Sequence, residues 1–436
     1  MRKSHPNSEK LNRLLSEKIK EIESSDTNEI AEVDSSSFIK YYQDQLINFD
    51  HSLSENTIKS YRSAFLMLNN YLKHVKVKDL QFENIDKKLA FKFKNYLIDQ
   101  NLASSTIAKY FKHFKTIYNR GLDDGHKSNI RSPFKSIKIV VPVKTKQFLT
   151  IDHIKNLINA DIPRESQDEL TKMTFLVQYF AQGLRISDLF TIRYKDIVVD
   201  STEASIEFSQ FKTKHQLTVF VGMNLLKYLC FFISPKKFYE FYFEKKYNFL
   251  LNNKEYTMTF FGHQERHKFL FNKKDVGSKF YNKSVDFMCS LNKTIFLEQL
   301  QLLKQKKKED PYEFLVYGLD KSLYNEESFA PRKNLNEEQK AKFSTCRNNY
   351  VKNLKLLDKY MGSSINIVGH TARHSYARHQ LSIGTDSYLI RDLLGHKNIS
   401  TTEKYLQGFP TKLIKGNVKK SHDYVTLNFL NDFTID

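Results

Sequence analysis

Four short segments carry residues that can act on a phosphodiester. Gly183-Leu184-Arg185-Ile186-Ser187-Asp188-Leu189 places an arginine at the end of an apolar stretch. Lys212 lies in Phe211-Lys212-Thr213, between two runs of alternating polarity. His370-Thr371-Ala372-Arg373-His374-Ser375 sets a histidine and an arginine three positions apart, on one helix face. Leu394-Gly395-His396 is followed nine residues later by Tyr405, in Thr401-Thr402-Glu403-Lys404-Tyr405.

Two arginines can fork onto the non-bridging oxygens of one phosphate. They neutralise the charge that builds as phosphorus becomes five-coordinate. A tyrosine is a weak nucleophile at its usual pKa of about 10, and two guanidinium groups make its phenolate less costly. Attack on a DNA phosphate then gives a covalent phosphotyrosine. The departing 5′-oxygen needs a proton, which a hairpin lysine can supply. Histidines can move protons or bind phosphate oxygens. The phosphotyrosine retains the bond energy, so rejoining needs neither ATP nor metal. Each segment alone is unspecific: Arg185 reads equally as an ion-pair partner, Asp188 as a turn cap, and Tyr405 is one of 24 tyrosines. The order and company of the four give them meaning.

The elements that must position these residues follow from periodicity. Thr171 to Gln182 reads as an apolar helix leading into Arg185. Ile206 and Phe208, then Leu217, Val219 and Val221, alternate with polar residues; this predicts a β-hairpin whose basic tip is Lys212-Thr213-Lys214-His215. Helices are expected at 347–361, 371–383, 386–394 and 400–406, and also near 223–245 and 285–308. The middle of the 223–345 region shows no clear pattern. Ahead of this, Ile58, Tyr61, Phe65, Leu68 and Leu72 recur at three- and four-residue steps. Leu89, Phe93, Tyr96 and Leu97 do the same, as do Ile107, Tyr110, Phe111, Phe114, Ile117 and Tyr118. Ser104 or Ser105 is a candidate N-cap for that last helix, and Gly121 and Gly125 are expected to break it. Residues 126–149, with Pro133 and Pro142, read as a linker. Thr150 is a candidate cap for a helix through Ile154, Leu157 and Ile158.

The chain has 436 residues, enough for two or three domains. Lys and Arg number 69 against 49 Asp and Glu, a net charge of +20. That excess favours a polyanionic partner. Lys59, Arg62, Lys109, Lys112 and Lys115 fall between the apolar positions of the first helices, where they suit a DNA backbone, and Lys214 adds to the hairpin tip. No apolar run is long enough to span a bilayer, so no membrane partner is expected. Residues 1–36 lack the apolar core of a signal peptide. Cys230, Cys289 and Cys346 are sparse and odd in number, without a CxxC pair. This fits a reducing cytoplasm and gives no cysteine zinc site. No carboxylate cluster has two-metal spacing, so neither a metal nor any other cofactor is expected.

GLRISDL, HTARHSYA, LLGH and TTEKYL resemble the catalytic boxes of the tyrosine recombinase (phage integrase) family, and are most similar to integrases of bacterial mobile elements. The resemblance covers about residues 37–222 and 346–406. It implies a fold that is mainly α with a small antiparallel β-sheet (α+β): a helical core-binding domain plus an integrase-type catalytic domain, closing on DNA as a C-shaped clamp. By this resemblance Arg185 and Arg373 are the phosphate clamp and Lys212 is the general acid. His370 assists proton transfer, His396 bonds the scissile phosphate and Tyr405 is the nucleophile. The implied domains are a flexible N-terminal arm at 1–36, the core-binding domain at 37–125, the linker at 126–149, the catalytic domain at 150–410 and a tail at 411–436 that packs in trans. The stretch from Lys212 to His370 exceeds the family pattern, which implies an insertion at about 228–345. Lys214 competes with Lys212 for the role of acid.

The implied activity is cleavage and rejoining of DNA through a 3′-phosphotyrosine, for integration, excision or inversion of a mobile element. The implied partners are a double-stranded recombination site and further copies of the chain, a dimer on one site and a tetramer in the synapse. DNA-bending or directionality proteins would assist, and the expected location is the cytoplasm, at the nucleoid. A type IB DNA-relaxing enzyme and a catalytically silent regulatory DNA-binding protein are the competing readings.

Overall fold

A computed structural model describes residues 36–49, 53–129, 133–135, 137–142, 147–244, 246–251, 254–261, 266–271, 274–275, 285–316, 336–362 and 364–406, with side chains outside 243–292 and 404–406. The expected N-terminal arm, save Ser36, and the expected C-terminal tail lie outside these residues. The chain divides into two compact units, Met1–Val143 and Lys144–Asp436.

The described residues of the first unit include the α-helices α1 (Phe38–Asn48), α2 (Glu55–His74), α3 (Lys87–Asp99) and α4 (Ser104–Asp123). Ser54 and Asp86 cap α2 and α3 by accepting from the N–H groups of Thr57 and Leu89. The apolar faces meet in an aromatic core of Phe38, Phe82, Phe93, Phe114 and Tyr118. Each such side chain contributes about 1.5–3 kcal/mol by leaving water. Phe134, within the expected linker, packs into the same core, its ring 4.9 Å from that of Phe114.

Two local expectations are corrected. The cap of α4 is Ala103, not Ser104 or Ser105, because the extended backbone a cap requires comes one residue earlier. Gly121 lies inside α4 rather than ending it, since the Phe82 ring packs where a side chain would stand.

The second unit begins with α5 (Ile151–Asn159), for which Thr150 forms a capping box with His153. α6 (Gln167–Phe180), α7 (Ile186–Leu189) and an antiparallel sheet follow, with β1 (Ile197–Val199), β2 (Ala204–Ser209) and β3 (Gln216–Phe220) in the order β1-β2-β3. The register pairs Ile206 with Val219 and Phe208 with Leu217, so one sheet face is apolar and buried. Next come α8 (Met223–Ile233) and α9 (Pro235–Tyr239). The helical stretch expected near 223–245 is divided at Ser234, whose extended backbone caps α9 with Pro235 in its first turn.

The stretch with no clear pattern contains a second antiparallel sheet, β4 (Lys246–Leu251), β5 (Lys254–Phe261), β6 (Arg266–Phe271) and β7 (Lys274–Asp275). α10 (Val285–Glu309) returns to the core and buries Leu300 and Leu303 in it. The chain after α10 runs beside the segment that follows α7, with the Tyr194 N–H donating to Glu313 O and the Leu315 N–H to Ile192 O. α11 (Glu337–Leu354) starts ten residues before its expected start at 347, capped by Asn336 with Gln339. Its first turns are polar and bury little besides Phe343, so they show no apolar period. α12 (Asp358–Met361), α13 (Thr371–Ser382), α14 (Ser387–Leu394) and α15 (Ile399–Leu406) complete the unit. Among the described residues no helix is long and apolar enough to cross a membrane.

Candidate active site

α6 ends in a turn that presents Arg185. Met173, Phe175, Leu176 and Val177 bury the helix in the core. Gly183 then adopts φ +63° against α13, where an added Cβ would stand 2.7 Å from Arg373 Cα. A side chain at that position would therefore push the Gly183 turn and α13 apart. Arg185 precedes the first turn of α7, and its Nη1 lies 3.8 Å from Asp188 Oδ2. Neither atom has a hydrogen-bond partner among the described residues. Asp188 is fully buried, and its Oδ1 accepts from the Phe211 N–H at 2.8 Å. One carboxylate thus joins the Arg185 turn to the tip of the β2–β3 hairpin. Burial raises the Asp188 pKa, opposed by the Phe211 N–H and by the charges of Arg185 and Arg373.

Arg373 is buried in the first turns of α13. Its Nη1 donates to Gly183 O at 3.1 Å and its Nη2 to Leu394 O. Leu394 ends α14, where carbonyls lack partners within the helix and carry partial negative charge. A guanidinium, with its N–H donors in a fixed fork, meets both needs. Gly395 closes α14 at φ +61°, which turns the chain so that His396 is buried behind it. His396 Nδ1 lies 2.9 Å from Thr402 Oγ1, so the histidine is tied to α15, the helix that carries Tyr405. His370 is exposed at the start of α13, its ring centroid 6.2 Å from that of His374.

Beneath these groups sits Gln178, fully buried. Its Nε2 donates to Leu184 O at 2.7 Å and to Gly369 O at 3.1 Å. Those carbonyls immediately precede Arg185 and His370. Its Oε1 accepts from Tyr350 of α11 at 2.9 Å. α13 is also fastened at Leu149, whose N–H donates to Ser375 Oγ and whose carbonyl accepts from His379 Nε2.

The hairpin tip runs from Gln210 to His215 and exposes Lys212. Lys214 takes φ +58°, and its Nζ stands 5.9 Å from the Phe211 ring centroid. The structure therefore sets Arg373 against the carbonyls two residues before Arg185 and His396. It ties the Lys212 tip to Arg185 through Asp188, and His370 to the Arg185 turn through Gln178. Tyr405 is placed by its helix. In the first unit Lys59, Lys109, Lys112 and Lys115 are exposed and Arg62 is half-buried. Lys59 is paired with Glu55 at 2.6 Å, whereas Lys109, Lys112 and Lys115 follow one another along α4. Among the described residues no group of histidine, cysteine or carboxylate side chains is arranged to hold a metal ion.

Residues 37–139 match the Phage integrase SAM-like domain, and residues 294–411 match the Phage integrase family. The second match takes in His370, Arg373, His396 and Tyr405. The chain belongs to the tyrosine recombinase (phage integrase) family. It is 24% identical over 389 residues to tyrosine recombinase XerD of Rickettsia bellii, covering 88% of this chain and 96% of that one. It is also 24% identical over 155 residues to tyrosine recombinase XerC of Staphylococcus epidermidis, covering 35% of this chain and half the length of that relative. The Tn1549 transposon integrase, solved in complex with transposon right end DNA, shares the fold at a TM-score of 0.50 and 11% identity, over 88% of this chain and 99% of that one.

The integrase match begins at residue 294, within the stretch read as an insertion, which agrees with the burial of α10 in the recombinase core. Sequence reasoning passed over Gln178, Gln210 and Thr402. A buried glutamine carries no periodic signal, since its role is set by carbonyls that arrive from distant segments.

Proposed function

We propose that this protein is a site-specific DNA recombinase that cleaves and rejoins strands through a 3′-phosphotyrosine. It moves a mobile element by integration, excision or inversion. The observation that carries the reading is the Arg373 guanidinium, held between Gly183 O and Leu394 O, the carbonyls two residues before Arg185 and His396. Arg185 and Arg373 bind the non-bridging oxygens, and the Arg185 Nη1 that has no described acceptor is one donor for them. Tyr405 attacks phosphorus, His370 takes up its phenolic proton, and Lys212 protonates the leaving 5′-oxygen. His396 donates to the phosphate, its other ring nitrogen being engaged by Thr402. Lys212 is favoured over Lys214 because its neighbours on both sides are anchored: Phe211 to Asp188 and Thr213 to Gln210.

Each chain supplies one nucleophile, so exchange between two duplexes, with four strands to cut, takes four protomers, a dimer at each site. The net charge of +20 and the lysines of α4 supply backbone affinity. The protein works on chromosomal DNA in the cytoplasm, aided by bending or directionality proteins.

Covalent capture tests this. Purified protein is mixed with nicked duplexes that tile the DNA flanking its gene, then resolved on a denaturing gel beside Tyr405→Phe. A shifted band that requires Tyr405 establishes the nucleophile and locates the site. Specific binding without a band would instead identify a silent regulator. Relaxation of any supercoiled plasmid at random positions would identify a type IB relaxing enzyme.

A further inference from the structure

Gln210 sits at the base of the hairpin tip and is fully buried. Its Oε1 accepts from Thr213 Oγ1 at 2.6 Å, and its Nε2 donates to Leu394 O at 3.3 Å. Its backbone closes the tip as well: the Gln210 N–H donates to His215 O at 2.8 Å, and its carbonyl accepts from the Lys214 N–H at 2.9 Å. Leu394 O is the same carbonyl that receives Arg373 Nη2. The end of α14 is packed tightly on the amide, since a Cβ on Gly395 would stand 2.3 Å from Gln210 Nε2. A neutral amide suits this position because it donates on one side and accepts on the other. A carboxylate would face the Leu394 carbonyl without a proton to offer.

We propose that Gln210 is a positioning residue that locks the Lys212 tip onto the helix end holding Arg373, and so keeps the general acid in reach of the leaving oxygen. The proposal rests on the reading of Lys212 as that acid. In the cleavage step a bond forms between the Tyr405 oxygen and phosphorus, and the bond from phosphorus to the 5′-oxygen breaks. The phenolic proton leaves to a base, and the Lys212 ammonium gives its proton to the 5′-oxygen. Misplacing an acid by about 1 Å can cost on the order of 100-fold in rate.

The test compares single-turnover cleavage of two nicked duplexes carrying the captured site, one with oxygen and one with sulfur at the bridging 5′ position. A thiol with a pKa of about 8.5 leaves as thiolate and needs no acid. Full-length Lys212→Ala should lose about 100-fold or more on the oxygen substrate. It should recover on the sulfur substrate. Gln210→Met, close in volume, should lose about 10- to 100-fold on oxygen and recover on sulfur in the same way. Thr213→Val, altered at the exposed tip, should show a smaller loss with the same recovery, and it decides the matter if Gln210→Met lowers the melting temperature sharply. If Lys212→Ala recovers on sulfur while the Gln210 and Thr213 variants lose equally on both substrates, or lose nothing on either, the positioning role is wrong. If Lys212→Ala itself fails to recover, the assignment of the acid is wrong and the proposal falls with it.

Discussion

Arg373 Nη1 donates to the carbonyl oxygen of Gly183 at 3.1 Å, across 190 positions of sequence. Gly183 lies two residues before Arg185, so Arg373 holds the turn that presents Arg185. The same guanidinium bonds Leu394 O, two residues before His396. One buried cation therefore sets the spacing of three segments.

This arrangement predicts that lysine cannot replace Arg373. A lysine ammonium is a compact charge on a flexible stem and cannot span two fixed carbonyls as a planar fork does. Arg373→Lys should lower stability by about 1–3 kcal/mol, the cost of a buried carbonyl left unpaired. Cleavage should fall by about 100-fold or more, because a transition-state contact is lost with it. Thermal melting and covalent capture measure the two effects; wild-type values for both would show that the two carbonyl bonds are dispensable.

Gln178 should prove as important as a residue that touches DNA. Gln178→Leu keeps the bulk but strands Leu184 O, Gly369 O and the Tyr350 hydroxyl, at about 1–3 kcal/mol for each buried group. The variant should melt several degrees lower. Its cleavage rate should fall with unchanged DNA affinity, since the carbonyls it releases precede Arg185 and His370. Loss of affinity with an intact rate in the bound complex would contradict this.

His113 should make the first unit sensitive to acid. It is buried in α4, 2.6 Å from Ser60 Oγ. Burial, with Lys109 and Lys112 nearby, lowers its pKa to about 4. The unfolded ring titrates at about 6.5. On acidification the unfolded chain takes up the proton first, so the contribution of the neutral ring is complete above 6.5 and is lost as pH falls toward 4. The melting temperature should fall over that window, and less steeply in His113→Gln. Parallel curves for the two proteins would assign the loss to other groups.

The lysines of α4 should act through charge alone. Replacing Lys109, Lys112 and Lys115 together by glutamine should weaken binding to all sequences alike. It should also flatten the slope of log affinity against log salt by about 0.9 for each phosphate contact removed. A change confined to one sequence would point to base readout instead.

The helices of the first unit are legible because each buries a stripe at helical period, as in α2 through Ile58, Tyr61, Leu68 and Leu72. The β2–β3 hairpin is legible through its alternation. The second sheet was not, and neither was the start of α11, where Glu337–Lys342 shows no apolar stripe. At the site, residue types and order nominated Arg185, Lys212, His370, Arg373, His396 and Tyr405, because phosphate chemistry admits few alternatives.

By itself the sequence determined the family and the mainly helical architecture, and it nominated the residues that could act on a phosphodiester. Those are matters of side-chain chemistry and local period, which neighbouring residues are enough to express. Only the tertiary structure decided that Asp188 joins the Arg185 turn to the hairpin, that Gln178 braces the carbonyls before Arg185 and His370, and that Leu394 O receives both Arg373 and Gln210. These partners are backbone groups that every residue carries, so no residue type announces them. They meet only when segments up to 191 positions apart are packed together and each buried polar atom must find a partner.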